Sequence, residues 1–452
     1  MNNINNEIFR EYDIRGIADR DLTDEVVKLI GKAYGTLIGN ESTVAVGCDV
    51  RLSSPRIKKA LINGILSTGV NVIDIGTVPT PVLYFSVYRL STDGGIMITG
   101  SHNPIEYNGF KMLKGTKTIY GEEIQKLKAI IEKGVFSEGK AEVKESEMIS
   151  RYIDTIMKGA SINKTLKVVI DPGNGTAGPI VSSLFDSFGI EYKCINCEPD
   201  GHFPAHLPDP TVPKYMEELK RTVIEEKADV GIGFDGDSDR IGVIDNNGEM
   251  VYGDKLLGVY AKEVLESKPG STIIFDVKCS RGLKEAVEKF GGKPLMWKTG
   301  HSLIKAKMQE VSSPLAGEMS GHMFFADEYF GYDDAIYAAM RLLRIISNSN
   351  KTFSEIQSEI PYYFSTPEIR VECPDEKKFQ LVKELSDYFS KNYDTITIDG
   401  VRIEFENGWG LIRASNTQPV LVLRFEAKTE EELGKIREII YSKLKEYDFV
   451  KL

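Results

Sequence analysis

Short apolar runs that end in polar turns recur along the chain, and helical patterning follows each of them. Three open related segments: TVAVGCDVRLS (Thr43 to Ser53), KVVIDPGNGTAG (Lys167 to Gly178) and TIIFDVKCSRG (Thr272 to Gly282). A β-branched run, a Gly- or Ser-bearing turn and a helix form the signal of a βαβ unit, in which a parallel or mixed sheet carries helices on its faces. Each segment then has a second apolar run leading into a polar loop: GGIMITGSHNP (Gly94 to Pro104), ADVGIGFDGDSDR (Ala228 to Arg240) and SPLAGEMSGH (Ser313 to His322). Ligands of open α/β sheets gather at the carboxyl ends of strands, so these three loops are expected to share one site.

Punctuation between the segments sets the boundaries. The charged stretch from Glu122 to Lys158 reads as helical and closes the first unit, and the turn Asp245 to Gly248 with a helix from about Asp254 opens the third. After Pro361 the pattern changes to ITIDGVRIEFENGWGLIRASNTQPVLVLRFEA and then an amphipathic helix from Glu430 to Tyr447. That order predicts a small α+β unit on an antiparallel sheet. The expected domains are therefore 1–150, 151–250, 251–360 and 361–452, three α/β/α units with mixed sheets and one α+β unit.

Composition narrows the class. With 452 residues, 27% charged and 41% hydrophobic, the chain is globular rather than disordered or membrane-embedded. Its longest stretches without Asp, Glu, Lys or Arg, Ile75 to Tyr88 and Pro172 to Phe185, fall short of the roughly 20 apolar residues of a membrane span. The first residues, MNNINNEIFREYDIRG, lack a basic region followed by an apolar one, so a cytoplasmic protein is expected. A net charge of −11 argues against a nucleic-acid partner, whereas a small phosphorylated substrate remains compatible with a local cluster of cations and backbone N–H groups. Cys194 and Cys197 form a CxxC; with no second pair and no histidine pair at ligand spacing, they read as ordinary strand cysteines rather than a zinc or redox site.

The candidate chemistry lies in five loops. In Phe234-Asp235-Gly236-Asp237-Ser238-Asp239-Arg240, alternate carboxylates follow a buried run; they would repel one another without a cation, and a compact set of oxygen ligands suits Mg²⁺. Thr99-Gly100-Ser101-His102-Asn103-Pro104 offers a hydroxyl able to act as nucleophile or phosphoryl carrier; taken alone it also reads as a capping turn. Gly317-Glu318-Met319-Ser320-Gly321-His322 has groups suited to sugar hydroxyls and an imidazole able to carry a proton. Arg413-Ala414-Ser415-Asn416-Thr417-Gln418-Pro419 has the inventory of a phosphate cradle. Phe9-Arg10-Glu11-Tyr12-Asp13-Ile14-Arg15-Gly16 supplies further arginines. The remaining histidines, His202 and His206, flank a Pro-rich turn, and Pro204 between them excludes a helical metal pair.

Those five motifs, FREYDIRG, TGSHNP, FDGDSDR, GEMSGH and RASNTQP, appear once each and in this order. In this the chain resembles the α-D-phosphohexomutases, most closely the phosphomannomutase/phosphoglucomutase branch. The resemblance implies three α/β/α domains and a fourth of antiparallel sheet and helices around a central cleft. It implies that Ser101 is the phosphoryl carrier, active as phosphoserine, and that Asp235, Asp237 and Asp239 hold Mg²⁺ with the phosphoserine oxygen. Arg240, Arg15, Lys111, His102 and His301 are then electrostatic and proton-handling neighbours. Glu318 and Ser320 contact sugar hydroxyls with His322 beside them as a candidate base, Arg413, Ser415, Asn416 and Thr417 grip the phosphate not being transferred, and Tyr12 joins the substrate contacts. The implied reaction interconverts hexose 1-phosphate and hexose 6-phosphate, of mannose and/or glucose, through a hexose 1,6-bisphosphate, which also serves as activator.

Ser238 stands where the family usually has glycine, and Met319 stands where phosphoglucosamine mutases usually have glutamine, which favours hexose over hexosamine. Two other classes remain to be separated: an aspartyl-phosphate enzyme using Asp235 as nucleophile, and a non-catalytic sugar-phosphate sensor on the same fold. The first leaves TGSHNP without a purpose, and the second predicts a lost serine or aspartate where none is lost.

Overall fold

The computed structural model describes residues 4–415 and 419–452. Its contacts divide the chain into two compact units, Met1–Leu256 with Ser320–Ile356, and Leu257–Met319 with Gln357–Leu452. No helix among the described residues is long and apolar enough to cross a membrane.

The threefold plan recurs strand for strand. In the first unit's opening sheet, Thr43–Cys48 pairs in parallel with Asn71–Thr77 on one side and with Gly94–Ile98 on the other. In the second sheet, Lys167–Asp171 pairs in parallel with Glu191–Cys194 and Val230–Phe234. In the other unit, Thr272–Asp276 lies parallel to Lys293–Trp297 and Leu315–Gly317. Each time the central strand is followed by a helix, Ser54–Leu66, Gly178–Phe188 or Arg281–Lys289. Gly94–Ile98 and Val230–Phe234 are buried at every position, the pattern of strands covered on both faces. Antiparallel partners complete the first two sheets: Tyr107–Lys114 and Ile14–Ile17 beyond Gly94–Ile98, and Ile241–Asp245 with Met250–Val251 beyond Val230–Phe234. The sheets are therefore mixed, as expected.

The C-terminal sheet is antiparallel throughout. Val401–Phe405 and Gly408–Ala414 form the expected hairpin, with Phe405 opposite Gly408, and Val420–Ala427 follows. Helices Asp375–Phe389 and Glu430–Leu444 pack Leu381, Leu385, Phe389, Ile436 and Ile440 into its core. Helix Asp375–Phe389 precedes the stretch from which the sequence announced this domain. A second difference lies between Glu122 and Lys158: the charged run is two helices, Glu122–Lys133 and Ile149–Gly159, separated by the edge strand Val143–Glu145, which pairs with Asn71–Thr77. The αL residue Gly134 ends the first of these helices, a stop that charge density alone conceals.

Candidate active site

The predicted loops begin where their strands end. Gly94–Ile98 runs into Thr99–Pro104, and Ser101 adopts a left-handed backbone, φ 48°, that a non-glycine residue holds only when its surroundings fix it. Arg51 supplies much of that fixing. Fully buried, its guanidinium donates to the carbonyls of Ser101 (2.8 Å), Asn103 (2.6 Å), Pro104 (2.6 Å) and Tyr107 (3.0 Å). Asp49 accepts from the Gly100 N–H at 3.0 Å and from the Ser54 hydroxyl at 2.5 Å. With its backbone pinned, Ser101 presents Oγ at 2.7 Å from Asp235 Oδ2, to which it donates, and at 3.0 Å from His102 Nδ1. Burial, then the nearby Arg240 and Arg15, hold the His102 imidazole well below its usual range.

The acidic loop is built as tightly. Asp235 Oδ1 accepts from the backbone N–H groups of Asp239 and Arg240, both at 3.1 Å, which folds the loop back on its own start. Ligand atoms of Asp235, Asp237 and Asp239 lie within 4.8 Å of one another, and all three residues are fully buried. Lys111, from the strand Tyr107–Lys114, donates to Asp237 Oδ2 at 2.6 Å and to Asp239, and Thr80 donates to Asp237 Oδ2 at 2.5 Å. Burial and the charges of Asp237 and Asp239 push Asp235 well above the carboxylate range, whereas at Asp237 the Lys111 ammonium overcomes burial and holds the group down. Asp237 Oδ1 and Asp239 Oδ1 are buried without a hydrogen-bond partner. Two such oxygens beside a third carboxylate and a serine hydroxyl fit a small hard divalent cation. Ser238 sits at φ 64°, and its hydroxyl meets Thr176 Oγ1 at 3.0 Å.

The same unit gathers Arg15, Arg240 and His322. Arg15 lies in the strand Ile14–Ile17, pairs with Asp13 at 2.5 Å, and meets the side-chain oxygen of Asn103 through Nε at 3.2 Å. Arg240 Nε donates to His322 Nε2 at 2.9 Å. Tyr12 and Ser320 are half-buried in their loops.

In the other unit, Glu318 Oε1 accepts from the Gly300 N–H at 2.8 Å, directly before His301, which begins the helix His301–Val311. Asp399 accepts from the Thr299 N–H at 3.0 Å and pairs with Arg413 at 3.0 Å, so Arg413 and the turn before His301 share one carboxylate. Ser415 is buried next to Arg413, and its N–H donates to the Val420 carbonyl at 3.0 Å. Asn416 and Thr417 lie outside the described residues. Lys278, buried, pairs with Glu368 at 2.6 Å; burial alone pushes the ammonium down, but Glu368 and Asp276 hold it up at about 12. Burial pushes Asp276 up to about 6 against the opposing Lys278.

Sequence reasoning missed Arg51, Thr80, Lys278, Asp399 and Asp333, whose Oδ2 lies 3.2 Å from His322 Nδ1. For two of them a signal existed in the repeat. Asp49-Val50-Arg51, Asp171-Pro172-Gly173 and Asp276-Val277-Lys278 each follow the first strand of a unit, and each aspartate Oδ1 accepts from the N–H two residues on, at 3.0 Å in all three. The CxxC also differs from its reading: Cys194 and Cys197 form a disulfide. His206 pairs with Asp171 at 3.1 Å and His202 with Asp200 at 2.8 Å, so neither belongs to a histidine metal pair.

Comparison with known proteins agrees over the whole chain. Residues 6–138, 150–248 and 252–363 match phosphoglucomutase/phosphomannomutase alpha/beta/alpha domains I, II and III, and residues 368–443 match the C-terminal domain of that family. A phosphomannomutase/phosphoglucomutase of Pseudomonas aeruginosa is 47% identical over 444 residues, covering 98% of this chain and 96% of the relative. A phosphoglucomutase of Neisseria gonorrhoeae is 41% identical, covering 97% of this chain and 96% of its own. A crystal structure of a phosphoglucomutase/phosphomannomutase family protein from Burkholderia thailandensis superposes with a TM-score of 0.91 at 40% identity, covering 98% of each chain. The chain is a member of the phosphoglucomutase/phosphomannomutase family of α-D-phosphohexomutases.

Proposed function

We propose that this phosphohexomutase interconverts the 1- and 6-phosphates of mannose and glucose, with Ser101 carrying the phosphoryl group between them. The observation that carries the reading is the placement of Ser101 Oγ, 2.7 Å from Asp235 and beside His102, on which the charges of Arg240, Arg15 and Lys111 act, so that positive charge lies near where phosphoryl oxygens must be held. Phosphoserine 101 gives its phosphoryl group to the free hydroxyl of a hexose phosphate, forming a hexose 1,6-bisphosphate. The sugar turns over, and its other phosphate returns to the serine.

Asp235, Asp237 and Asp239 would hold Mg²⁺ with an oxygen of the phosphoserine. When bound, the cation supplies positive charge to the transferring phosphoryl group. The chain's own residues do the rest. Arg51 holds the serine backbone, so the nucleophile does not have to be ordered during each turnover. Lys111 and Arg240 add charge that stabilises the phosphoryl oxygens. His102, with Nδ1 3.0 Å from Ser101 Oγ, stands beside the attacking oxygen as a proton-handling neighbour. Glu318 and Ser320 fit the sugar hydroxyls, and Arg413, Ser415, Asn416 and Thr417 fit the phosphate not being transferred. Glucose and mannose differ at a single hydroxyl and share these contacts, so both are expected substrates. The four domains are taken as 1–150, 151–250, 251–360 and 361–452.

The test is a coupled assay of glucose 1-phosphate and mannose 1-phosphate turnover with Mg²⁺ and trace glucose 1,6-bisphosphate. Wild type is expected to use both sugars and Ser101→Ala neither. Full activity in Ser101→Ala with loss in Asp235→Ala would transfer the phosphoryl role to the aspartate, and turnover of glucosamine 1-phosphate alone would reassign the substrate. Mg²⁺ at about 100 times its Kd should stabilise wild type by roughly 2.7 kcal/mol in thermal melts, and Asp237→Asn should lose that gain.

A further inference from the structure

Cys194 and Cys197 differ from the other cysteines of the chain in exposure as well as in bonding. Cys48, Cys279 and Cys373 are free and buried, whereas the bonded pair is half-buried, at the end of the strand Glu191–Cys194 and in the turn that follows it. Their Cα atoms stand 5.9 Å apart, a span that a disulfide bridges without moving the backbone. Sulfurs within reach of solvent exchange with other thiols and disulfides, which buried ones do not.

The turn closed by this bond is a point of attachment. Asn196, between the two cysteines, has a left-handed backbone at φ 53°, and its carbonyl accepts from the Asn174 N–H at 2.8 Å. Asn174 is tied twice more to the residues just after Cys197: its Nδ2 donates to the Glu198 carbonyl at 2.9 Å, and its own carbonyl accepts from the Asp200 N–H at 2.9 Å. Two residues on, Thr176 reaches the acidic loop. Its N–H and its hydroxyl both donate to the Gly236 carbonyl at 3.1 Å. A Cβ on Gly175 would lie 2.8 Å from the same carbonyl oxygen, so the two turns are in direct contact. On its other side, the chain leaving Cys197 runs to the serine clamp. A Cβ on Gly201 would lie 2.4 Å from the Val50 carbonyl oxygen, and the buried Phe203 ring lies 5.3 Å from the Arg51 guanidinium. All of these residues belong to one compact unit.

We propose that Cys194 and Cys197 are a reversible thiol–disulfide site, and that the disulfide braces the turn 172–178 against the acidic loop. Opening it takes a dithiol. One thiolate of the reagent attacks a protein sulfur, which forms a mixed disulfide and releases the other protein sulfur as a thiolate; the reagent's second thiolate then resolves the mixed disulfide. The protein gains two electrons and two protons, and the dithiol becomes a disulfide. A low-molecular-weight disulfide reverses the exchange. With the bond open, no covalent tie holds Asn196 in its left-handed conformation, the three bonds to Asn174 lose their common anchor, and local opening of the turn becomes more frequent. The thiol chemistry stands without the phosphoryl-transfer reading; the effect on turnover rests on it.

The experiment uses the full chain purified without thiols. Iodoacetamide labelling of the folded protein, read by mass spectrometry, is expected to modify no cysteine before dithiothreitol, Cys194 and Cys197 alone after it, and neither once glutathione disulfide replaces the dithiol. A pair that dithiothreitol leaves closed, or that glutathione disulfide leaves open, overturns the proposal. Hydrogen exchange of peptides spanning 172–178 reads the brace and needs no substrate. Exchange about tenfold faster is expected on reduction, with recovery on reoxidation, and equal exchange in both states refutes the brace. The double variant Cys194→Ser/Cys197→Ser should melt about 2 to 4 °C lower, exchange at the reduced rate and ignore both reagents. A folded variant that still responds to them would place the redox site elsewhere. On reduction of the wild type, kcat for glucose 1-phosphate is expected to fall about 3- to 10-fold and to recover on reoxidation. A constant kcat while exchange rises breaks the link to the acidic loop, whereas a protein that turns over no sugar in either state sinks the phosphoryl-transfer reading and leaves the thiol site to the labelling and exchange results.

Discussion

The turns after Thr43–Cys48 and Thr272–Asp276 occupy the same place in two copies of one plan, and each puts a buried cation two residues after an aspartate. The first uses Arg51 and the second Lys278. Arg51 spreads its planar donors over four carbonyls and makes the serine loop rigid. Lys278 concentrates its charge on Glu368 at 2.6 Å, with Asp276 at 3.8 Å, and its backbone turn is clamped by another element: Arg402 donates to the carbonyls of Val277 and Cys279 at 2.9 and 2.7 Å. One scaffold position thus yields a clamp where a nucleophile must be fixed, and a point charge beside a carboxylate-bearing loop. The difference follows from the side chains: a fork of five donors in a plane against a compact ammonium.

Exchanging the fork is the strongest way to break this comparison. Arg51→Lys retains the charge but cannot reach four carbonyls, and is expected to cost roughly 3 to 5 kcal/mol in urea unfolding. A loosened Ser101 should also lower kcat by about 100-fold. An Arg51→Lys protein with wild-type stability and turnover would mean that charge alone matters at both turns.

Glu368→Gln tests the other member. The Lys278 ammonium, opposed by burial, holds the Glu368 carboxylate down at about 2, below its ordinary value of 4.5. A depressed carboxylate contributes stability above pH about 4.5 and loses it as pH falls toward about 2. The variant should therefore be about 2 to 3 kcal/mol less stable at pH 7, and the gap should close on acidification through that window. A gap independent of pH would assign the cost to packing rather than charge.

Ser238→Gly carries the smallest effect and sharpens the comparison, since the acidic loop lies in the same unit as the Arg51 clamp. Removing the side chain relieves a left-handed backbone, worth about 1 kcal/mol, and loses a hydroxyl contact to Thr176 of similar size. Thermal melts should place the variant within about 1 kcal/mol of wild type. A larger loss would make the Thr176 contact a structural support of the acidic loop.

Much of this was legible in the sequence, because period-2 and buried-run patterns mark strands, and because strands of open sheets deliver their loops at carboxyl ends. The acidic loop announced itself through carboxylates that have few other uses at such spacing, and the serine loop through its place among five ordered motifs. Arg51 and Asp333 did not. Arg51 is marked only by the repeated turn that puts it two residues after Asp49, since most of its bonds go to main-chain carbonyls, and strand register, a long-range property, brings Asp333 within 3.2 Å of His322. The helix Asp375–Phe389 is masked in the sequence by the stronger pattern of the antiparallel strands after it. A lone CxxC without a second pair or a nearby histidine pair does not report the turn that brings Cys197 back to Cys194.

The central claim is that the phosphoryl group travels through Ser101. The full chain, incubated with glucose 1,6-bisphosphate and Mg²⁺ and then digested, can be read by mass spectrometry for the residue that bears phosphate. One phosphoryl group on Ser101, absent from Ser101→Ala and removed by excess hexose 1-phosphate, is the predicted result. Phosphate on any other residue, or an unmodified Ser101 in protein that turns over substrate, would contradict the account.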